Sequence, residues 1–140
     1  MIISNGMDRK KLFKISAYSI ISLSLVNFIA LKFYWYYSIW YFDMFMHFFG
    51  GFCVGMALLW IFYKDDLNFN FSFVLKISLG VLFLGAGWEV FEIIFNNIIA
   101  GNSFDLPDTL SDIFFDLSGG LCAILYILVP LENQRTSIKD

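Results

Sequence analysis

Asp108, Asp112 and Asp116 recur every four residues in the stretch DTLSDIFFDLSGG, which continues as an apolar run to Leu131. Each step of four advances about 40° around an α-helix, so the three carboxylates share one face within an arc of about 80°. Two more pairs have one-face spacing: Asp43 with His47, four apart, and Glu89 with Glu92, three apart. Carboxylate oxygens suit Mg²⁺, Ca²⁺ or Mn²⁺, and an imidazole among them admits Zn²⁺ or iron. Acids and a histidine projecting from several helices into one bundle are how helical metal centres are built. The chemistry to expect is therefore a divalent-metal site (Mg, Mn, Ca or Zn) with ligands drawn from Asp43, His47, Glu89, Asp108, Asp112 and Asp116. His47 or Glu92 would act as the acid or base.

Each group also has a plainer reading. Asp43 and His47 alone could be a helix cap and an interfacial histidine, and Asp108, just after Pro107, could cap its own helix. Glu89 and Glu92 could pair with Lys32 or hydrogen-bond to Asn27. Asp112 and Asp116 resist such readings, because acids inside a membrane-length apolar helix are rare and by default functional.

The elements that must position these groups are membrane helices. Hydrophobic residues make up 59% of the 140-residue chain, with 18 Phe, and mean hydropathy is +0.73. Soluble domains contain about 45–50% apolar residues even with Gly included. The length fits one domain, an all-α polytopic bundle of four transmembrane helices over residues 12–34, 43–63, 71–98 and 108–131. The first segment follows Arg9, Lys10, Lys11 and Lys14 but lacks the small residues of a cleavage site, so it reads as an uncleaved helix. Trp35, Tyr36, Tyr37, Trp40 and Tyr41 form an aromatic belt. Cys53 and Cys122 lie in apolar segments without CxxC spacing and read as core residues. No basic surface suggests nucleic acid. There is no internal repeat and no low-complexity segment.

Lys and Arg set the orientation. The N-terminus, Lys64, Lys76 and the tail with Arg135 and Lys139 fall at one end of the bundle; the other end has only Lys32 nearby. Both termini are thus expected in the cytoplasm, with the loops around residues 35–42 and 100–107 outside. Segments two and four then enter from outside and segment three exits there. At about 1.5 Å rise per residue, all the acids fall within roughly 15 Å of the outer boundary. Below them Gly50, Gly51, Gly55, Gly85, Gly119 and Gly120 follow the same stripes, with Gly51 and Gly55 forming a GxxxG. The segment-three stripe would end at Asn96. Six carboxylates and one imidazole at one level need protons, water or bound cations to balance them.

Asp43-Met44-Phe45-Met46-His47-Phe48 with Gly50-Gly51, then Trp88-Glu89-Val90-Phe91-Glu92, then Asp108-Thr109-Leu110-Ser111-Asp112 through Asp116 to Gly119-Gly120, resembles the VanZ-like group of small bacterial membrane proteins. Its YjdF-like relatives are the nearer branch, since VanZ-like sequences typically carry Gln at the position of Glu92 and Asn at that of Asp116. The resemblance covers about residues 43–125 and implies a four- or five-helix bundle with an envelope-resistance association, but no settled reaction.

Three functional classes follow. The first is an outward-facing acidic, metal-binding site in the cell membrane acting on an envelope or lipid-linked molecule; the bound ion would polarise a phosphoryl or carbonyl oxygen or activate water. The second is a cation- or proton-coupled transporter or channel subunit, for which four helices are few unless the chain forms a homo-oligomer. The third is a structural or adaptor subunit whose acids pair with a partner's cations. Membrane lipids are expected partners in every case.

Overall fold

A computed structural model describes residues 9–62, 70–95, 101 and 104–137, with the side chains of 129–137 left aside. The expected connection at 64–68, Asn96 and Lys139 lie outside the described residues, as does the far end of the third segment. The chain forms α1 (Arg9–Lys32), α2 (Trp35–Ser38), α3 (Phe42–Ile61), α4 (Phe71–Ile94) and α5 (Leu106–Ser137). Four of these helices are long and apolar enough to cross a membrane, the last of them over Leu106–Leu128. Helix is the secondary structure such segments must adopt, because lipid offers no partner for an unpaired backbone amide or carbonyl.

Helix ends differ from the expected ones where capping decides them. α5 begins at Leu106, two residues before Asp108. Asp105 is the cap: its Oδ1 accepts from the Asp108 N–H at 3.3 Å and its carbonyl accepts from the Thr109 N–H. Asp108 instead lies in the first turn, where its charge suits the helix dipole. The aromatic belt conceals a further element. Tyr34 adopts a left-handed backbone, φ 56°, and turns the chain from α1 into the short α2. The rings of Trp35 and Tyr36 then meet Phe42 edge-on at 5.5 and 5.0 Å, fastening this turn to the start of α3.

α3 is central, packing against α1, α4 and α5, with its broadest contact on α5. The two run parallel, and glycine sets how closely they approach. A Cβ on Gly51 would strike the Asp116 backbone, and one on Gly119 would strike the Phe48 carbonyl. One turn on, a Cβ on Gly55 would lie 2.9 Å from Ala123 Cβ and 3.1 Å from Gly120 Cα. The GxxxG pattern thus has its partner: Gly51 and Gly55 seat the start of α5. α4 runs antiparallel to both, with Val81 against Gly120 and Leu58 against Gly80. Beyond the glycines lies the main apolar core of Leu12, Met56, Leu59, Ile77, Ala123, Ile124 and Ile127. Cys53 belongs to this buried interior, whereas Cys122 is exposed.

The glycine contact makes a prediction with an internal control. Gly51→Val is expected to lower the melting temperature in detergent or prevent folding, since backbone cannot yield as a side-chain tip can, and overpacking typically costs about 1–3 kcal/mol or more. Gly87→Ala has nothing within 4 Å of its new Cβ and should melt like the wild type. Equal melting of all three proteins would refute the close α3–α5 contact.

Candidate functional site

The three helices that meet at the glycine layer carry the polar stripes just above it. α3 contributes Asp43 and His47, α4 contributes Glu89 and Glu92, and α5 contributes Asp112 and Asp116. The antiparallel course of α4 brings its late residues level with the early residues of α3 and α5.

The five carboxylates converge on the His47 ring. Its Nε2 stands 3.8 Å from Asp43 Oδ1, 3.9 Å from Glu89 Oε1, 3.9 Å from Glu92 Oε2 and 3.8 Å from Asp112 Oδ2. Its Nδ1 lies on the other side, 3.4 Å from Asp116 Oδ2. Among the described residues, two groups of three have donor atoms within 4.8 Å of one another: Asp43, His47 and Asp112, and His47, Glu89 and Glu92. These groups could hold a metal ion. Asp108, also expected among the ligands, is in neither group: it lies exposed on the first turn of α5 at the edge of the cluster, near enough for its charge to act on Asp43, Glu89, Glu92 and Asp112.

Burial is graded. Glu89 is 4% exposed and Asp112 2%, and His47 and Asp116 are also buried. Asp43 and Glu92 keep 35% and 34% of their side-chain surface, so the cluster opens on their side. Glu89 Oε1 and Asp112 Oδ1 are buried without a hydrogen-bond partner among the described residues. A buried unpaired polar atom costs about 1–3 kcal/mol, and more when charged. With five carboxylates around one imidazole, the cluster has more acceptors than donors.

Some neighbours escaped the sequence reading. Thr109, from the first turn of α5, lies beside Glu89. Tyr36 reaches the rim from α2, and its hydroxyl donates to Asn27 Oδ1 at 2.8 Å. Burial pushes the Tyr36 phenol up to about 12, with the charges of Asp43 and Glu92 adding to the shift. Asn27 is thus engaged by Tyr36 rather than by a glutamate, and Lys32 ends α1 on an exposed face. The signal for Tyr36 was its place in the belt at the acidic end of the bundle. The signal for Asp105 was an acid two residues before Pro107.

The opposite end of the bundle is basic and aromatic. The Arg9 guanidinium lies 5.5 Å from the centre of a Trp60 ring, and Lys76 Nζ lies 3.8 Å from the centre of the Phe62 ring.

Among known proteins, the family described as "Predicted membrane protein (DUF2238)" matches residues 3–133. No curated protein and no solved structure matches the chain.

Proposed function

The chain belongs to the DUF2238 family of predicted membrane proteins, and we propose that it binds a divalent cation at the His47 cluster and acts there on an envelope or lipid-linked molecule. One observation carries this reading. Four carboxylate oxygens from three helices surround a single histidine nitrogen at 3.8–3.9 Å, too far to hydrogen-bond to it. Donors bound to one ion at about 2.1 Å stand about 3.0 Å apart at right angles and about 4.2 Å apart when opposite. The observed spacing falls inside that interval. A cation would also give the unpartnered oxygens of Glu89 and Asp112 something to bind.

With an ion held there, the partly exposed Glu92 is the group best placed to exchange a proton with a bound molecule. The ion's own contribution would be to polarise a phosphoryl or carbonyl oxygen or to activate water. The resemblance to VanZ-like and YjdF-like sequences supports an envelope substrate. Transport ranks second, with a homo-oligomer as its working unit. Against it stands the layer beneath the site, where glycines bring the helices together and Met56, Leu59, Ile77 and Ile124 fill the interior.

Metal analysis tests the central claim. Plasma mass spectrometry of detergent-purified protein should find about one divalent ion per chain in the wild type, or after loading with Mg²⁺, Mn²⁺ or Zn²⁺, and little in Asp112→Ala. An empty wild type after loading would end the metal reading.

The site is proposed to face outward in the cytoplasmic membrane, with both termini inside. Support comes from Arg9, Lys10, Lys11, Lys14 and Lys76, which gather at the end remote from the acids. In a Cys53→Ser, Cys122→Ser background, Asp105→Cys should react with a membrane-impermeant maleimide on intact cells. Arg9→Cys should react only after permeabilisation. The reverse pattern would invert the topology.

A further inference from the structure

His47 presents its two ring nitrogens to different sets of acids. Nε2 faces Asp43, Glu89, Glu92 and Asp112, all beyond hydrogen-bonding distance, whereas Nδ1 faces Asp116 alone. Asp116 is also held differently from the other acids. A Cβ on Gly85 would lie 2.5 Å from Asp116 Oδ2, and one on Gly50 would lie 3.8 Å from Oδ1. The Asp116 backbone itself rests on Gly51. Glycines on α3 and α4 thus make the space this carboxylate occupies, on the side of the ring facing the packed interior.

We infer that Asp116 is a positioning residue: it accepts the hydrogen bond from Nδ1–H, turns Nε2 toward the other four carboxylates, and so commits the centre to a divalent transition cation that takes an imidazole nitrogen. This rests on the metal reading above and deepens it by naming the ligating atom and the class of ion. A histidine bound to a metal through one nitrogen almost always donates its other N–H to a carboxylate, carbonyl or water, which fixes both tautomer and ring orientation. Asp116 meets that requirement at 3.4 Å, at the long end of the hydrogen-bonding range. The unpartnered Glu89 Oε1, buried and directed at Nε2, is the independent sign that something is bound on that side. Nitrogen ligation suits zinc, ferrous iron and similar ions, whereas Mg²⁺ and Ca²⁺ take oxygen. Asp116, although spaced as a ligand along its helix, serves the ring rather than the ion.

His47 is the chain's only histidine, so ¹⁵N-histidine labelling gives one imidazole to observe. The probe is ¹¹³Cd²⁺, a zinc surrogate, added to the full chain in detergent. The expected spectrum shows ¹¹³Cd–¹⁵N coupling at Nε2 and a proton on Nδ1. Excess Mg²⁺ or Ca²⁺ should leave the coupling intact. Asp116→Asn should weaken Cd²⁺ binding by about 10–100-fold, and Asp116→Ala should in addition lose the single Nδ1–H form.

Coupling at Nδ1, displacement by Mg²⁺ or Ca²⁺, or unchanged affinity in Asp116→Asn would each overturn the inference while the metal reading stood. Cd²⁺ bound without any coupling to the ring would do the same. No Cd²⁺ binding to the wild type by calorimetry would overturn the inference, and the metal reading would fall with it only if Mg²⁺, Mn²⁺ and Zn²⁺ also failed to bind. Should the Asp116 variants fail to fold, the wild-type spectrum alone identifies the ligating nitrogen.

Discussion

Metal-free protein titrated with Zn²⁺ or Mn²⁺ is expected to melt several degrees higher than in chelator, and His47→Ala is expected to lose most of that gain. An ion that binds only the folded state stabilises it by about 2.7 kcal/mol at a concentration one hundred times its Kd, and by about 4.1 kcal/mol at one thousand times. The effect should be large here because the folded state gathers what the unfolded chain keeps apart. Asp43 and His47 on α3, Glu89 and Glu92 on α4, and Asp112 on α5 meet only when the three helices pack. Cys53 is a built-in reporter, being buried in the fold and accessible to a thiol-reactive dye once the helices separate. Cys122→Ser removes the exposed thiol that would otherwise react first. No shift in the wild type with any of these ions, or an equal shift in His47→Ala, would show that His47 does not hold a cation.

The parts of this molecule that were legible in the sequence are those a bilayer constrains most. A long apolar segment can only be a helix in lipid. Helical periodicity then places Asp43 with His47, Glu89 with Glu92, and Asp112 with Asp116 on single faces. Alternating chain direction brings the three faces to one depth, and their convergence on His47 follows from those steps.

What escaped depended on choices between near-equivalent residues or on side-chain torsions. Asp105 and Asp108 are both plausible caps, and the geometry ahead of Pro107 selects Asp105, leaving Asp108 on an exposed first turn. The α2 helix was hidden because its aromatic residues satisfy belt and helix alike, and the turn into it rests on the backbone of a single residue, Tyr34. Helical spacing also treats Asp112 and Asp116 as equals. Only the rotation of the His47 ring sets one opposite Nε2 and the other opposite Nδ1. GxxxG spacing marked Gly51 and Gly55 as a contact surface, but that surface acquires its partner only once α5 lies against it.

Crowded acids make the second large effect one of opposite signs. Asp112→Asn keeps the shape of a buried side chain while removing one negative charge from a cluster of five carboxylates. In chelator this variant is expected to be more stable than the wild type. Like charges held together in the interior oppose folding, and the amide adds donors where acceptors are in excess. Saturated with Zn²⁺ or Mn²⁺, the order should reverse, because the wild type gains a ligand bond that the amide cannot match. Each difference should be on the order of 1–3 kcal/mol, the usual cost of a buried group left without its partner. Dye accessibility of Cys53 against temperature, in chelator and in saturating ion, gives both comparisons in one experiment. A site kept for function predicts this crossing, since its carboxylates are retained although they weaken the empty fold. Parallel curves with the wild type more stable in both conditions would mean that Asp112 is satisfied from within the bundle. The acids would then share protons among themselves and with His47, and the search for function would turn from metal chemistry to proton movement.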